Sequence, residues 1–517
     1  MSLNNHSTKR ISAWLDAIER AGNRLPDPVT LFIYGTLIIA VLSALVSLLG
    51  WQVTKTVNSA SGQDVTTQIV HANNLLSSDG IAWLLSNLVN NFITFPPLGI
   101  VLVGMLGIGV AEKSGLLGVT IKMIMSRTPA SLLTPVTVLV GIMSSMTLDA
   151  GYVVLPPLVM AIYAAVGRPP LAGLAAVFAG VSAGFSANLF ITGLDPLLAG
   201  FTQAGAQLID PAYQVAVTGN WWFMIASTIL LTLVGWAVTA KFVEPRLASQ
   251  DTAISSEKTD EQEGRISAQE WLGLKHAGVV LAVFFTLVLM MIFIPDAPLH
   301  GQGKRFDRWV EAIIPLLFLF FLLPGLAYGI TVGTIRNDKD FAKMMAETLS
   351  SLGPYIVMAF FAAQFIAAFK YTGLGEMLAL SGGAWLAETG FSMLTLLVTF
   401  IIVVMMGNLL IGSASAKYAF FAPVFVPMLM QVGVSPELTQ AAYRIGDSVS
   451  NIITPLNPYM VIILVYMRQY VPQSGFGTLV AVMLPYTLFF LVAWVLLLAL
   501  WLGLGWELGP GSSLHYP

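Results

Sequence analysis

The chain has 517 residues, with 24 basic and 27 acidic side chains, a formal net charge of −3 and no cysteine. Charged residues make up only 10% of it and apolar residues 56%, against about 25% charged in a soluble domain, and its mean hydropathy is +0.80. A chain so composed cannot cover its surface with charge in water, which excludes a soluble enzyme, a disordered protein and an electrostatic nucleic-acid binder and leaves a polytopic membrane protein. Disulfides, thiolate metal sites and Cys nucleophiles are absent, and no long basic tract points to a nucleic-acid partner.

In chain order, the first long apolar run without a charge is Leu31 to Leu49, the length that crosses a hydrocarbon core of about 30 Å. Lys9, Arg10, Arg20 and Arg24 precede it, beside Asp16, Glu19 and Asp27. Basic residues before a first span favour a cytoplasmic N-terminus. The run starts too late and is too long for the h-region of a signal peptide. Trp51 to Gly80 carries a single lysine, Lys55, and reads as an external loop.

Further apolar blocks lie near 81–111, 117–126, 131–148, 150–166, 171–204, 219–240, 277–294, 311–334, 354–370, 391–411, 416–432, 440–470 and 479–505. Phe95-Pro96-Pro97-Leu98-Gly99 interrupts one block and Gly353-Pro354 opens another. Interrupted backbone in lipid survives only where protein or a water-filled cavity satisfies the freed groups, so both places are expected to be re-entrant hairpins. The whole reads as an all-α membrane protein with about nine full spans around them. Lys241 to Lys275 is the longest hydrophilic stretch, with five basic and seven acidic residues. It divides the chain into an N-terminal half (1–240), a linker (241–275) and a C-terminal half (276–517). Pro295 to Val310 is a second hydrophilic connection.

The halves resemble each other where charge is rarest. Ser186-Ala187-Asn188 followed by Thr192-Gly193-Leu194-Asp195-Pro196 matches Val449-Ser450-Asn451 followed by Thr454-Pro455-Leu456-Asn457-Pro458. Upstream, Lys113-Ser114-Gly115-Leu116 matches Tyr371-Thr372-Gly373-Leu374 at nearly the same separation. Ser144 to Asp149 precedes the first copy, and Gly412-Ser413-Ala414-Ser415-Ala416-Lys417 the second. The shared order points to duplication, expected as an inverted repeat. Many secondary transporters build a midplane site from broken helices of two such copies. Gly180 and Gly184 read as helix-packing positions.

A charge at the bilayer centre costs roughly 2.5 kcal/mol or more, so the few inside apolar sequence stand out: Asp149, Asp195, Lys417, Arg444 and Asp447. Arg168 and Asp210 lie beside loops and read as solvated. Glu437 follows Ser435-Pro436, a helix start, and reads as a capping residue. One arrangement of the five is an ion-pair network, Asp149 with Lys417 and Arg444 with Asp447, the latter three apart on a helix. Asp195 has no basic neighbour in sequence and stands between the helix breakers Gly193 and Pro196.

Arg444, Asp447, Ser448 and Asn451 share a helix face, and Asn188 and Asn451 occupy matching places. Amide and hydroxyl oxygens on an unwound helix suit a hard cation such as sodium; the same helix ends can instead offer N–H groups to a carboxylate. Asp195 or Asp447 could equally carry a proton. Asn188, Asp195, Asp447, Asn451 and Asn457 are therefore candidates for ion coupling. Lys417 and Arg444 suit an anionic substrate, arginine with its bidentate fork, and Tyr418 offers a ring face. Asn408 is the uncharged polar side chain in the apolar run before Gly412.

Two other classes compete. An intramembrane aspartyl protease would pair two aspartates around one proton, but the Gly446-Asp447 fragment lacks its upstream glycine, position 444 being Arg. A channel is the other, and a repeat of broken helices favours alternating access over an open pore. No His-Glu-x-x-His occurs, and no enzyme activity is expected.

These residues resemble the AbgT family, the p-aminobenzoyl-glutamate transporters. The likeness begins at Gly22-Asn23-Arg24-Leu25-Pro26 and includes Val243-Glu244-Pro245-Arg246-Leu247. It is most specific in Gly412-Ser413-Ala414-Ser415-Ala416, Ala422-Pro423-Val424-Phe425-Val426-Pro427 and Arg444-Ile445-Gly446-Asp447-Ser448, and it closes at Leu508-Gly509-Pro510-Gly511. The resemblance implies a homodimer in the bacterial inner membrane, each subunit with nine spans and two hairpins. It implies ion-coupled secondary transport, by protons or sodium and without another cofactor, of p-aminobenzoyl-glutamate or p-aminobenzoate. Some members resemble exporters of sulfonamides, an alternative function here. By motif, Asp195, Asn408, Ser415, Arg444, Asp447 and Pro455 fall where such a site is lined. Tyr418 stands where the family often has Trp.

Overall fold

The computed structural model describes residues 27–58, 65–147, 150–248 and 266–517. The N-terminal basic residues, the Gly22–Pro26 motif, Asp149 and the middle of the linker lie outside the described residues.

Among the described residues, seven helical paths are long and apolar enough to cross a membrane: Pro28–Leu49, Ser78–Lys113, Trp221–Leu247, Ala268–Phe293, Ile313–Val332, Gly353–Tyr371 and Phe476–Leu504. Local sequence sets their ends. Pro28 sits in the first turn of its helix, where its missing N–H costs nothing, and Asp27 accepts from Val29 N. Ser267 and Glu270 form a capping box at Ala268. Gly50 and Gly333 stop their helices in the left-handed conformation. The multi-pass architecture is as expected from composition.

The two expected hairpins are not where the prolines suggested. Phe95 and Pro96 mark a break within the Ser78–Lys113 path, and Gly353-Pro354 opens a full-length helix. Proline in a first helical turn starts a helix rather than reversing the chain. The antiparallel hairpins lie elsewhere. Helix α1 (Leu133–Met143) and helix α2 (Ala150–Ala165) are joined across their far ends by Tyr163 Oη donating to Thr134 Oγ1 at 2.9 Å. At their near ends Gly151 lies against Ser144, where a Cβ would come within 2.2 Å of its hydroxyl. Helix α5 (Met393–Gly407) and helix α6 (Ala414–Met430) repeat the pattern. The Phe400 and Phe425 rings are 4.9 Å apart, and Gly407 abuts the Phe421 ring.

Each hairpin is followed by a broken helix. The first runs as α3 (Pro170–Phe178), a π-helical turn at Ala179–Ala183, a non-helical stretch at 184–193, and α4 (Leu194–Ala206). The second runs as α7 (Pro436–Ser450), a break at 451–458, and α8 (Tyr459–Tyr470). Gly141 and Gly180 bring α1 against the first broken helix; a Cβ on Gly180 would lie 2.5 Å from the Val138 carbonyl.

Part of the stretch from Trp51 to Gly80 is strand, which the all-α expectation does not include. Gln52–Asn58 and Val65–His71 form an antiparallel β-hairpin with Gln52 opposite His71, tied down by Lys55 to Glu376 at 2.7 Å. Its Val-Thr alternation suits a two-stranded ribbon. Arg168, expected to be solvated, instead grips Glu244 at 2.6 and 2.8 Å, fastening the α2–α3 turn to the end of Trp221–Leu247.

The hydrophilic connections sort onto two faces. One, the tail face, carries the β-hairpin, the 207–220 loop, the 295–307 loop and the C-terminal segment, joined by bonds such as Thr218 to Pro510 O. There the Arg305 and Phe306 backbone N–H groups hold the Glu311 carboxyl below its ordinary range. The other, the linker face, carries Arg168 with Glu244, Arg127 over Trp271, and Lys113 with Glu347.

Candidate functional site

The hairpin connections and the breaks meet inside the protein, and the rare charges meet there too. They pair differently from the sequence expectation. Arg444 Nη2 lies 2.7 Å from Asp195 Oδ1, across the two halves. Lys417 Nζ lies 2.6 Å from Asp447 Oδ1, within the second half. Arg444 and Asp447 do share a face of α7, but positions three apart differ by about 60° around a helix. Arg444 therefore reaches the first broken helix while Asp447 turns to α6. Asp195 and Asp447 thus each face a cation of their own.

The first pair is well satisfied on its acidic side. Asp195 Oδ2 accepts from Thr192 N at 2.7 Å and from Thr192 Oγ1 at 3.0 Å. It stands in the first turn of α4, where the positive end of the helix favours an anion. Arg444 is less complete: Nη1 reaches Ser186 O at 3.4 Å, and Nε has no acceptor among the described residues.

The second pair is more tightly enclosed and less well bonded. Lys417 is fully buried, and its ammonium makes no aligned hydrogen bond among the described residues. Asp447 is approached only weakly by others, Tyr443 Oη at 3.4 Å and Asn451 Nδ2 at 3.5 Å. Asn408 Nδ2 points at three acceptors, Asp447 O at 3.0 Å, Ser450 Oγ at 2.9 Å and Asn451 Oδ1 at 2.8 Å. An NH₂ group has two hydrogens, so these acceptors compete. Asn408 Oδ1 is buried without a donor among the described residues.

The breaks are held in the same way in both halves. Ser145, by the first hairpin connection, donates to Asn188 Oδ1 at 2.9 Å. Asn408, by the second, donates to Asn451 Oδ1. Asn457 Nδ2 then ties the second break to the first half through Ser182 Oγ at 3.1 Å and closes its own loop on Asn451 O at 2.9 Å.

Tyr418 does not present an open ring. It is fully buried, its centroid is 4.2 Å from that of Tyr443, and its hydroxyl meets Thr202 Oγ1 at 2.7 Å. Ser415 and Pro455 are half-buried, the first in the opening turn of α6, where its hydroxyl meets Ser413 at 3.2 Å, the second in the break after α7. Glu437 is buried on the tail side; Ser435 caps that helix, while the Glu437 carboxylate accepts from Tyr213 Oη at 2.9 Å. Sequence reasoning missed Ser145, Ser182, Thr192 and Thr202. Only Thr192, three before Asp195, carries a local signal, that of a hydroxyl and a carboxylate around a helix start.

Comparison with known proteins agrees with this architecture. A model of the AbgT transporter family matches residues 13–516. The p-aminobenzoyl-glutamate transport protein of Escherichia coli (strain K12) is 35% identical over 497 residues, 96% of this chain and 95% of that protein. The crystal structure of the Alcanivorax borkumensis YdaH transporter superposes with a TM-score of 0.87 at 42% identity, covering 94% of this chain and 100% of that one. The structure of Neisseria gonorrhoeae MtrF, described with a class of antimetabolite efflux pumps, gives a TM-score of 0.87 at 42% identity, covering 94% and 97%. The chain is a membrane transporter belonging to the AbgT family.

Proposed function

We propose that this protein is an ion-coupled secondary transporter of p-aminobenzoyl-glutamate and related aromatic carboxylates such as p-aminobenzoate. The observation that carries the reading is the two buried ion pairs, one joining the broken helices of the two halves and the other joining the second hairpin to the second broken helix. A buried pair is costly to desolvate and is kept only where its partners compensate. A substrate carboxylate can replace Asp195 at the Arg444 guanidinium, and Arg444 Nε is already short of an acceptor. A proton or sodium ion arriving at Asp195 or Asp447 would loosen the same pairs, which links ion and substrate. Arg444, Lys417, Tyr418 and Asp447 are shielded from solvent, so this conformation is closed, as alternating access requires at one stage of the cycle.

In this reading the two hairpin-and-broken-helix units form an inverted repeat, and about nine full spans surround them. The protein is a homodimer in the bacterial inner membrane; the apolar helix Ala268–Phe293, little of which is buried within the chain, faces lipid or the second subunit. The N-terminus is cytoplasmic, because Lys113, Arg127, Arg168, Arg246 and Arg336 gather on the linker face.

A second reading, export of sulfonamides and p-aminobenzoate driven by protons, is favoured by the likeness to MtrF. One experiment separates the two. Labelled p-aminobenzoyl-glutamate and p-aminobenzoate are offered to proteoliposomes under an inward proton gradient, an outward one with the interior acidic, an inward sodium gradient, or no gradient. Accumulation under an inward gradient supports symport and names the ion. Accumulation only with an acidic interior supports antiport and export. No accumulation under any gradient removes these substrates.

A further inference from the structure

A cavity of about 720 Å³, lined by none of the four ion-paired residues, opens on the tail side, within the range of small-molecule sites. Its floor is the unwound stretch of the first broken helix, Leu189 to Ile191, which Trp221 Nε1 pins by donating to Leu189 O at 3.0 Å. Its walls are aromatic, with Trp222, Trp309, Phe190 and Phe320 prominent. Its polar end is His300 and Asp307, on the 295–307 connection, and no lysine or arginine lines it.

That polar end has a definite chemistry. His300 Nδ1 lies 2.8 Å from Ile292 O. A carbonyl only accepts, so Nδ1 carries a proton, and in that tautomer Nε2 is an acceptor. Asp307 takes Gln302 Nε2 on Oδ1, and no bond to Oδ2 is formed among the described residues. Acceptors at one end of a ring-walled pocket select a ligand with an apolar aromatic body and an N–H donor, and the ring faces favour any positive charge it carries. A carboxylate is disfavoured there by Asp307.

We propose that this cavity is a second ligand site, for hydrophobic aromatic amines, separate from the ion-paired site. Phe284, Phe285, Val288, Leu289, Ile292 and Phe293 of Ala268–Phe293 form one wall, and where that helix faces lipid such a ligand can enter from the bilayer.

The test uses full-length protein in lipid nanodiscs, with empty nanodiscs as the blank. The probe is 1-naphthylamine, read by energy transfer from the tryptophans of the cavity wall. Saturable binding is expected, unaffected by excess p-aminobenzoyl-glutamate. Val288→Trp and Leu316→Trp, which add bulk to the lining from two different helices, should each abolish it. His300→Phe should weaken it about fivefold, the value of one hydrogen bond, and leave binding of N,N-dimethyl-1-naphthylamine unchanged. The proposal is overturned if both filling variants, folded as judged by thermal melting, still bind the amine, if 1-naphthoate binds more tightly than the amine, or if p-aminobenzoyl-glutamate displaces it.

Discussion

The two buried ion pairs differ in what surrounds them. Asp195 has Arg444 on one oxygen and two donors from Thr192 on the other, and the pair spans the two halves. Lys417 and Asp447 lie within one half, the ammonium without an aligned hydrogen bond and the carboxylate with long ones. The inter-half pair is placed to sense relative motion of the halves, and its arginine keeps Nε free of any acceptor among the described residues while Nη2 holds Asp195. The intra-half pair has little beyond its own Coulomb attraction to hold it and fastens α6 to α7. Function should therefore concentrate on the first pair and folding on the second.

The largest effects should separate these roles. Arg444→Ala and Asp195→Ala should each abolish accumulation of labelled substrate while the purified protein keeps its oligomeric state by size exclusion. Retained transport in either variant would break the comparison. Lys417→Ala strands Asp447 in a dry site, a loss of about 3–5 kcal/mol, and should appear as lost expression. Lys417→Met combined with Asp447→Asn should recover folded protein, because no lone charge remains. If Lys417→Ala is well expressed and merely inactive, the second pair is functional after all.

Smaller effects sharpen the picture. Asn408→Ala removes the donor that joins the second hairpin to its break and should cut the transport rate about tenfold with little change in melting temperature, as a loss of roughly one to two hydrogen bonds. On the tail side, Glu437→Ala leaves the Tyr213 hydroxyl without its acceptor and should cost about 1–3 kcal/mol in denaturant unfolding. Glu437→Gln keeps an oxygen for Tyr213 and should be close to wild type. The half-exposed Arg168–Glu244 pair should matter least: Glu244→Gln should change stability by about 0–1 kcal/mol.

Much of this was legible in the sequence because membranes make charge and polarity expensive. The scarcity of charge singles out five residues, of which Asp149 lies outside the described residues and Asp195, Lys417, Arg444 and Asp447 form the buried pairs, and the matched Asn188 and Asn451 mark the two breaks. The pairing was not legible. Helical spacing put Arg444 beside Asp447, but which neighbour each side chain reaches depends on how α7 lies against α4 and α6, which the local sequence does not encode. The hairpins were misplaced for a related reason. Pro96 and Pro354 advertise a break strongly yet start helices, whereas the reversal after Gly407 is marked only by small residues around Gly412 and Ser413. The β-hairpin at 52–71 was hidden by a polar stretch that reads as loop.

The central claim is that a substrate carboxylate takes Arg444 in exchange for Asp195. The direct measurement is equilibrium binding of labelled p-aminobenzoyl-glutamate to purified wild type and Asp195→Asn, alongside gradient-driven accumulation in proteoliposomes. Removing the competing charge should tighten binding by about tenfold, roughly 1.4 kcal/mol, while accumulation is lost. Unchanged or weaker binding by a folded Asp195→Asn protein would contradict the exchange.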